Sequence, residues 1–507
     1  MTPDNSLKAN PDTRANRLLA AIVAASLLLA LWSQWPYLAD KYRVIKDVQN
    51  FYWMDRFQDP DLFTTDYLWG YRLLEVTLFG RRVILLPRSL GFGLVFYAAS
   101  FFTDHIWFSK TLIFLLLPLC VIYLFKLGRL VGDTRAAASL SLFFVFFILA
   151  SPQSISLATG VQRAFAIPLL IMLVYYLTTQ NYAAGGALMF VSLLFYFPNF
   201  PLAVLTYGLS MARVKGRFKA PAAVSFRRLA PFVAGLALSG LVVALTLAVE
   251  SPASYTPRQV PIIKDPQYRL EGNAPMFPGP PLIGRAGLLD SMADIVNVSV
   301  LLAFCGLVYA VLGRRSLRQL PPAAWYLLAA GLVMYAASLV FVVGLSSFAL
   351  YLPSRYSRAV LFLVPLCFVG LNWPDFLAQA PAWYRKNARS LWLFIGAPGL
   401  LALGMCALLP ASVAPAAGKQ VVGVMLSGVA VAAGSAALCW LAPRLKPRLR
   451  AERSLLKRAA AVAPLLAVGA VMVSLGAVYL RRMPTVPINP TPAERDIFAF
   501  VSTLPKD

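Results

Sequence analysis

The chain has 507 residues, 59% of them hydrophobic and only 13% charged, with a mean hydropathy of +0.69. A water-solvated domain keeps about 25% of its residues charged, so a soluble globule is excluded and an all-α polytopic membrane protein is expected. The net charge of +25 would suggest nucleic acid in a soluble chain. Here the excess collects in loops between apolar stretches, and no nucleic-acid partner is expected.

Residues 1–17 are polar and contain proline, and are expected to form a disordered cytoplasmic N-terminus. A transmembrane helix needs about 20 predominantly apolar residues. Candidate spans run over 18–37, 83–102, 107–127, 136–150, 165–177, 184–211, 231–249, 298–312, 325–345, 360–371, 391–409, 421–441 and 459–480. The first is an anchor rather than a cleaved signal, because Trp32, Trp35 and Tyr37 form an interfacial belt and no small-residue cleavage site follows. Together these spans form a transmembrane module over 18–480.

Arg213, Lys215, Arg217, Lys219, Arg227 and Arg228 crowd one loop; Arg314, Arg315 and Arg318 another; Arg385, Lys386 and Arg389 a third; residues 444–458 a fourth. All four fall on one side of an alternating count, which the positive-inside rule makes cytoplasmic. Residues 40–82, 250–297 and the tail from Arg481 are then external. A straight count would also put Lys126, Arg129 and Arg135 outside. In an alternative count, the stretch at Val83, interrupted by Pro87 and Arg88, does not cross, and the stretch from Ala184 breaks at Pro198 and Pro201 into two crossings. The second count is preferred, and it carries Gln162, Arg163 and Asn199 to the outer face.

The first external loop concentrates Asp47, Asp55, Asp59, Asp61 and Asp66 beside aromatic rings. Val48, Phe51, Tyr52 and Asp55 recur at helical spacing, which predicts a short amphipathic surface helix ended by Asp59-Pro60. Asp59 and Asp61 read as turn residues. Asp47, at the entry to that helix, is placed to take a proton from an attacking hydroxyl or to hold a divalent cation, Mg or Mn, against a phosphate leaving group. Asp55 is a second catalytic candidate, with Tyr52 and Asp66 beside it. His105 is the only histidine, which excludes a mechanism needing a His pair. Cys120, Cys305, Cys367, Cys406 and Cys439 lack metal-site spacing and read as buried hydrophobes.

The order of parts is similar to the GT-C class of integral-membrane glycosyltransferases. A first span leads to an external loop with Asp47 and Tyr52. Trp69-Gly70-Tyr71 follows, then Ser109-Lys110 entering an apolar helix that ends Lys126-Leu-Gly128-Arg129-Leu-Val-Gly132. The resemblance implies a bundle of about 13 transmembrane helices with amphipathic helices in the first external loop. It further implies a sugar donor linked to a polyprenyl phosphate, and a multi-pass place in the inner membrane with a periplasmic site where Asp47 is the catalytic acid. The acceptor, whether glycan, lipid or protein, is not specified. Position 48 is Val where the class often has a second acid.

A polyprenyl-phosphate donor needs fixed positive charge near its phosphate. Arg355 and Arg358, one helical turn apart beside Tyr356, are the leading candidates because guanidinium groups bind phosphate oxygens in pairs. Arg163 and Lys110 follow, as charges near membrane depth face a cavity or a partner. The proline-rich segment 250–297, with Arg258, Lys264 and Arg269, is expected to be an ordered lid that excludes water. The tail 481–507 reads as a short or truncated external segment, with a capping box at Thr491, Pro492 and Glu494. A flippase of lipid-linked glycans and a glycan polymerase or ligase are the other readings. A transporter would favour internal repeats, and none is evident, so the transferase is preferred.

Overall fold

The computed structural model describes residues 11–39, 43–45, 54–55, 57–58, 74–78, 81–85, 90–150, 157, 160–214, 217–218, 226–249, 292–344, 355–386 and 485–487. Within them the fold is a helical bundle. Its helices are α1 (Pro11–Leu38), α2 (Leu90–Ala99), α3 (His105–Thr111), α4 (Ile113–Val131), α5 (Thr134–Ala150), α6 (Ala166–Thr178), α7 (Tyr182–Phe195), α8 (Asn199–Ala212), α9 (Phe226–Val249), α10 (Met292–Leu312), α11 (Arg314–Arg318), α12 (Pro322–Gly344) and α13 (Arg355–Lys386). Four helical stretches are long and apolar enough to cross a membrane: Asp12–Trp35, His105–Val131, Phe226–Leu245 and Ala359–Ala380. The spans expected over 391–480 lie outside the described residues.

Short antiparallel pairs decorate the bundle, a feature the all-helical expectation lacked. β2 (Leu74–Leu78) pairs with β3 (Arg81–Leu85), and β4 (Arg213–Val214) with β5 (Arg217–Phe218). β1 (Arg43–Ile45), just after α1, pairs with β6 (Thr485–Pro487) near the end of the chain.

Particular contacts fix the direction of the central helices. Lys110 reaches the carbonyl of Tyr37 while Arg129 reaches Asp12, so α4 runs antiparallel to α1. Trp373 of α13 packs its ring 4.8 Å from that of Phe143 in the middle of α5 and Gly370 lies against Leu140, whereas Phe362, Leu363 and Leu366 line a crevice with Phe147 and Ile148 near its end. α13 and α5 are therefore antiparallel. The Asn199 amide donates to the carbonyl of Ala166 at 2.7 Å, joining the first turn of α8 to the first turn of α6. The ends of α1 and α7 and the starts of α3, α6, α8 and α13 thus share one end of the bundle, called here the upper end. The lower end carries Asp12, Arg129, Arg135, the β4–β5 hairpin, Arg227, Arg228 and α11.

Two helix breaks assumed by the second count are present. A strand and then a ten-residue helix replace the single span expected over 83–102. At 1.5 Å per residue α2 is about 15 Å long, half the roughly 30 Å hydrocarbon core. The stretch from Ala184 breaks where its prolines predict: Tyr196 is extended, a turn follows, and α8 starts at Asn199.

Packing relies on close backbone approach as well as on apolar area. A Cβ on Gly128 would lie 2.4 Å from Cα of Ala137, so α4 and α5 touch main chain to main chain. Small residues at such crossings gain dispersion contacts where a lipid solvent offers no hydrophobic drive. Around this seam α4, α5, α6 and α13 bury Leu117, Val121, Leu124, Phe144, Leu170 and Val369.

Candidate functional site

At the upper end a second cluster of buried rings stands apart from the main core. Phe92, Phe96 and Tyr97 of α2 meet Val161, and Met54 and Phe57 of the first loop insert among them. The ring of Tyr97 lies edge-on to Phe57 with centroids 5.6 Å apart, and Phe96 lies edge-on to Phe108 of α3 at 4.8 Å. Residues 54, 55, 57 and 58 belong to a tight turn in which the amide of Gln58 donates to the carbonyl of Asp55 at 3.0 Å. This differs from the α-helical spacing expected through Asp55. Met54 and Phe57, three apart, eclipse one another in a 3₁₀ turn and so enter one pocket together. Residues 48–52 of the expected helix lie outside the described residues.

Anchored this way, Asp55 faces His105. Its Oδ1 is 2.9 Å from His105 Nδ1, with the imidazole side chain 9% exposed and the carboxylate 42% exposed. His105 is fixed from the other side because Asp104 caps α3, its Oδ1 accepting from the amide of Trp107 at 2.9 Å. The Gln58 side-chain amide donates to the carbonyls of Ser100 and Thr103, both at 3.4 Å, closing the loop over the pair. The outcome is a part-exposed carboxylate oriented from beneath by an imidazole. Its second oxygen has no partner among the described residues and is available to a hydroxyl or a cation.

Lys110 lies one and a half turns below His105. Its side chain is buried, and Nζ donates to the carbonyl of Tyr37 at 2.7 Å while standing 5.4 Å from the centroid of Trp107. A cation on the last carbonyls of a helix complements its negative end, so Lys110 joins α1 to α3. Gly160 brings the next cation to this place. Its φ of 62° is left-handed, and a Cβ there would lie 2.3 Å from the carbonyl oxygen of Ser109. Only glycine permits both that conformation and that approach. The 3₁₀ turn Gln162–Phe165, with half-buried Arg163, therefore lies against the turn of α3 that carries Lys110. Arg355, Tyr356 and Arg358 occupy the first turn of α13, at the same end of the bundle.

The upper end thus gathers Asp55, Lys110, Arg163, Arg355, Tyr356 and Arg358. Asp47, Tyr52, Asp66, Arg258, Lys264 and Arg269 lie outside the described residues. Sequence reasoning overlooked His105, Gln58 and Asp104 as site-forming residues. Only Asp104 had a local signal, an Asp directly before an apolar helix. Among the described residues no group of three or more His, Cys, Asp and Glu converges; Asp55 and His105 would supply two ligands of any cation held here. Compared with known proteins, the chain matches no family model and no curated protein.

Proposed function

We propose that the protein is an inner-membrane glycosyltransferase of the GT-C kind. It would move a sugar from a polyprenyl-phosphate carrier to an acceptor at the upper end of the bundle. The observation that carries this reading is the grouping there of an oriented, part-exposed carboxylate, Asp55, with cationic positions 110, 163, 355 and 358. The lower end, rich in exposed arginine, takes the cytoplasmic side under the positive-inside rule. The N-terminus is then cytoplasmic, and the upper end, with the β1–β6 pairing, periplasmic.

In the reaction an acceptor oxygen attacks the anomeric carbon as the bond from that carbon to the phosphate oxygen breaks. The hydroxyl proton passes to a carboxylate, Asp47 in the first place with Asp55 beside it, and the polyprenyl phosphate departs with the electron pair. Arg355, Arg358 and Arg163 offset the charge on the departing phosphate, with Tyr52, Tyr356 and Asp66 around the sugar. The segment bearing Arg258, Lys264 and Arg269 covers the bound donor. If Mg or Mn takes part, Asp47 is its assigned ligand.

Purified protein incubated with a panel of radiolabelled polyprenyl-phosphate sugars tests this, with Asp47→Asn and Asp55→Asn beside wild type and with chelator added to a parallel set. Turnover by wild type that falls in both variants while donor binding persists is the expected result. Unchanged turnover removes the substituted residue from catalysis. Protein-dependent movement of a fluorescent lipid-linked sugar across liposomes, with no product, assigns a flippase instead.

A further inference from the structure

The connection from α2 to α3 has a property that catalysis does not use. Phe102 is 92% exposed and its neighbour Phe101 43% exposed, two large apolar rings side by side at the tip of a turn. The turn is closely tied. The amide of Ser100 donates to Phe96 at 2.9 Å, its hydroxyl to Tyr97 at 2.7 Å, and the amides of Phe102 and Thr103 donate to Ala99 at 2.9 and 3.0 Å. Gln58 adds two more bonds across the turn, and Asp104 closes it by capping α3. The Phe101 ring rests edge-on to Tyr97 at 5.2 Å. The exposed rings are thus held out by an ordered backbone.

Helix α2 positions that tip. Gly91 lies against the ring of Phe195 at the end of α7, Phe92 meets Phe165 just before α6, and Phe96 meets Phe108 of α3. Every one of these neighbours is at the upper end, so α2 lies across the end of the bundle rather than along it. Phe102 stands three residues before the 27-residue apolar stretch His105–Val131. At 1.5 Å per residue that stretch is about 40 Å long, which exceeds the roughly 30 Å hydrocarbon core and reaches headgroup level. Trp32 and Trp35 of α1 are exposed at this same end, as in an interfacial aromatic belt.

We propose that the turn 100–104 is a lipid-contacting wedge, in which Phe101 and Phe102 enter the headgroup and upper acyl region of the leaflet bordering the upper end. The occupant is the bilayer surface. The wedge rests on the membrane reading above but not on glycosyl transfer. By seating this turn in the leaflet it would hold Asp55 and His105, which Gln58 ties to the same turn, at the depth of a lipid-borne phosphate.

The test uses the full chain with Phe102 replaced by p-benzoylphenylalanine, reconstituted into phosphatidylethanolamine–phosphatidylglycerol liposomes. Resistance to carbonate extraction is verified first. Irradiation is expected to shift the peptide containing position 102 by the mass of one phospholipid, with the shift reduced by phospholipase digestion. The same label at Phe101, whose ring packs on Tyr97, is expected to give a weaker adduct. An adduct to another peptide of this chain, or no phospholipid adduct in carbonate-resistant protein, overturns the wedge and leaves the transfer reaction untouched. Release by carbonate removes the membrane reading and the wedge with it.

Discussion

At the lower end of the bundle the Arg129–Asp12 pair and the arginines of α11 stand in the open, whereas at the upper end His105 and Lys110 are enclosed. Arg129 and Asp12 form an ion pair at 2.8 Å with side chains 40% and 68% exposed, and Arg314, Arg315 and Arg318 are exposed. His105 and Lys110 at the upper end are instead enclosed, each with its partner fixed by neighbouring structure. An exposed pair is screened by water and restrains little. An enclosed donor restrains much, because losing its partner leaves a polar group unsatisfied. The open ion pair restrains little and the enclosed donors at the upper end hold geometry, which is why the candidate site is sought there.

That contrast can be broken most severely at Gly160. Gly160→Ala forces a side chain into the left-handed region and onto the Ser109 main chain, with a combined cost of about 3 kcal/mol. Thermal unfolding in detergent should show the loss as a clearly lowered midpoint; a wild-type midpoint would mean that the 3₁₀ turn does not press on α3. Next comes Lys110→Met, which keeps the stem and deletes the bond to the Tyr37 carbonyl, costing about 2 kcal/mol. Protease nicking after α1 should accelerate in this variant. His105→Ala should cost about 1 kcal/mol, discounted because Asp55 is partly in water, yet it should lower transfer as Asp55→Asn does. Retained transfer in His105→Ala would show that the imidazole does not orient the acid. Smallest is Arg129→Ala, expected within about 0.5 kcal/mol of wild type and weaker still in high salt. A larger effect would erase the distinction between the two ends.

Parts of this fold were legible in contiguous sequence. Pro198 and Pro201 announced the division between α7 and α8, since a helix loses a hydrogen bond and meets a ring clash at proline. The apolar run ahead of Lys126 announced α4. The stretch over 83–102 reads as one apolar run by hydropathy, because a sliding window does not register the change from the end of β3 to α2. Where the loop helix expected through Asp55 is described, residues 54, 55 and 57 take a 3₁₀ form and Met54 and Phe57 are buried against α2. Asp55 itself was a sequence candidate. Its partner was not, because fifty residues separate them.

By itself the sequence determined the strongly apolar character of the chain, the approximate places of its apolar helices and the gathering of positive charge in particular stretches. Each of these is a sum over neighbouring residues. The tertiary structure alone decided that α2 lies across the end of the bundle, that Lys110 closes onto α1, and that Asp55 meets His105. Those facts depend on the path of the chain through space, which no window of adjacent side chains contains.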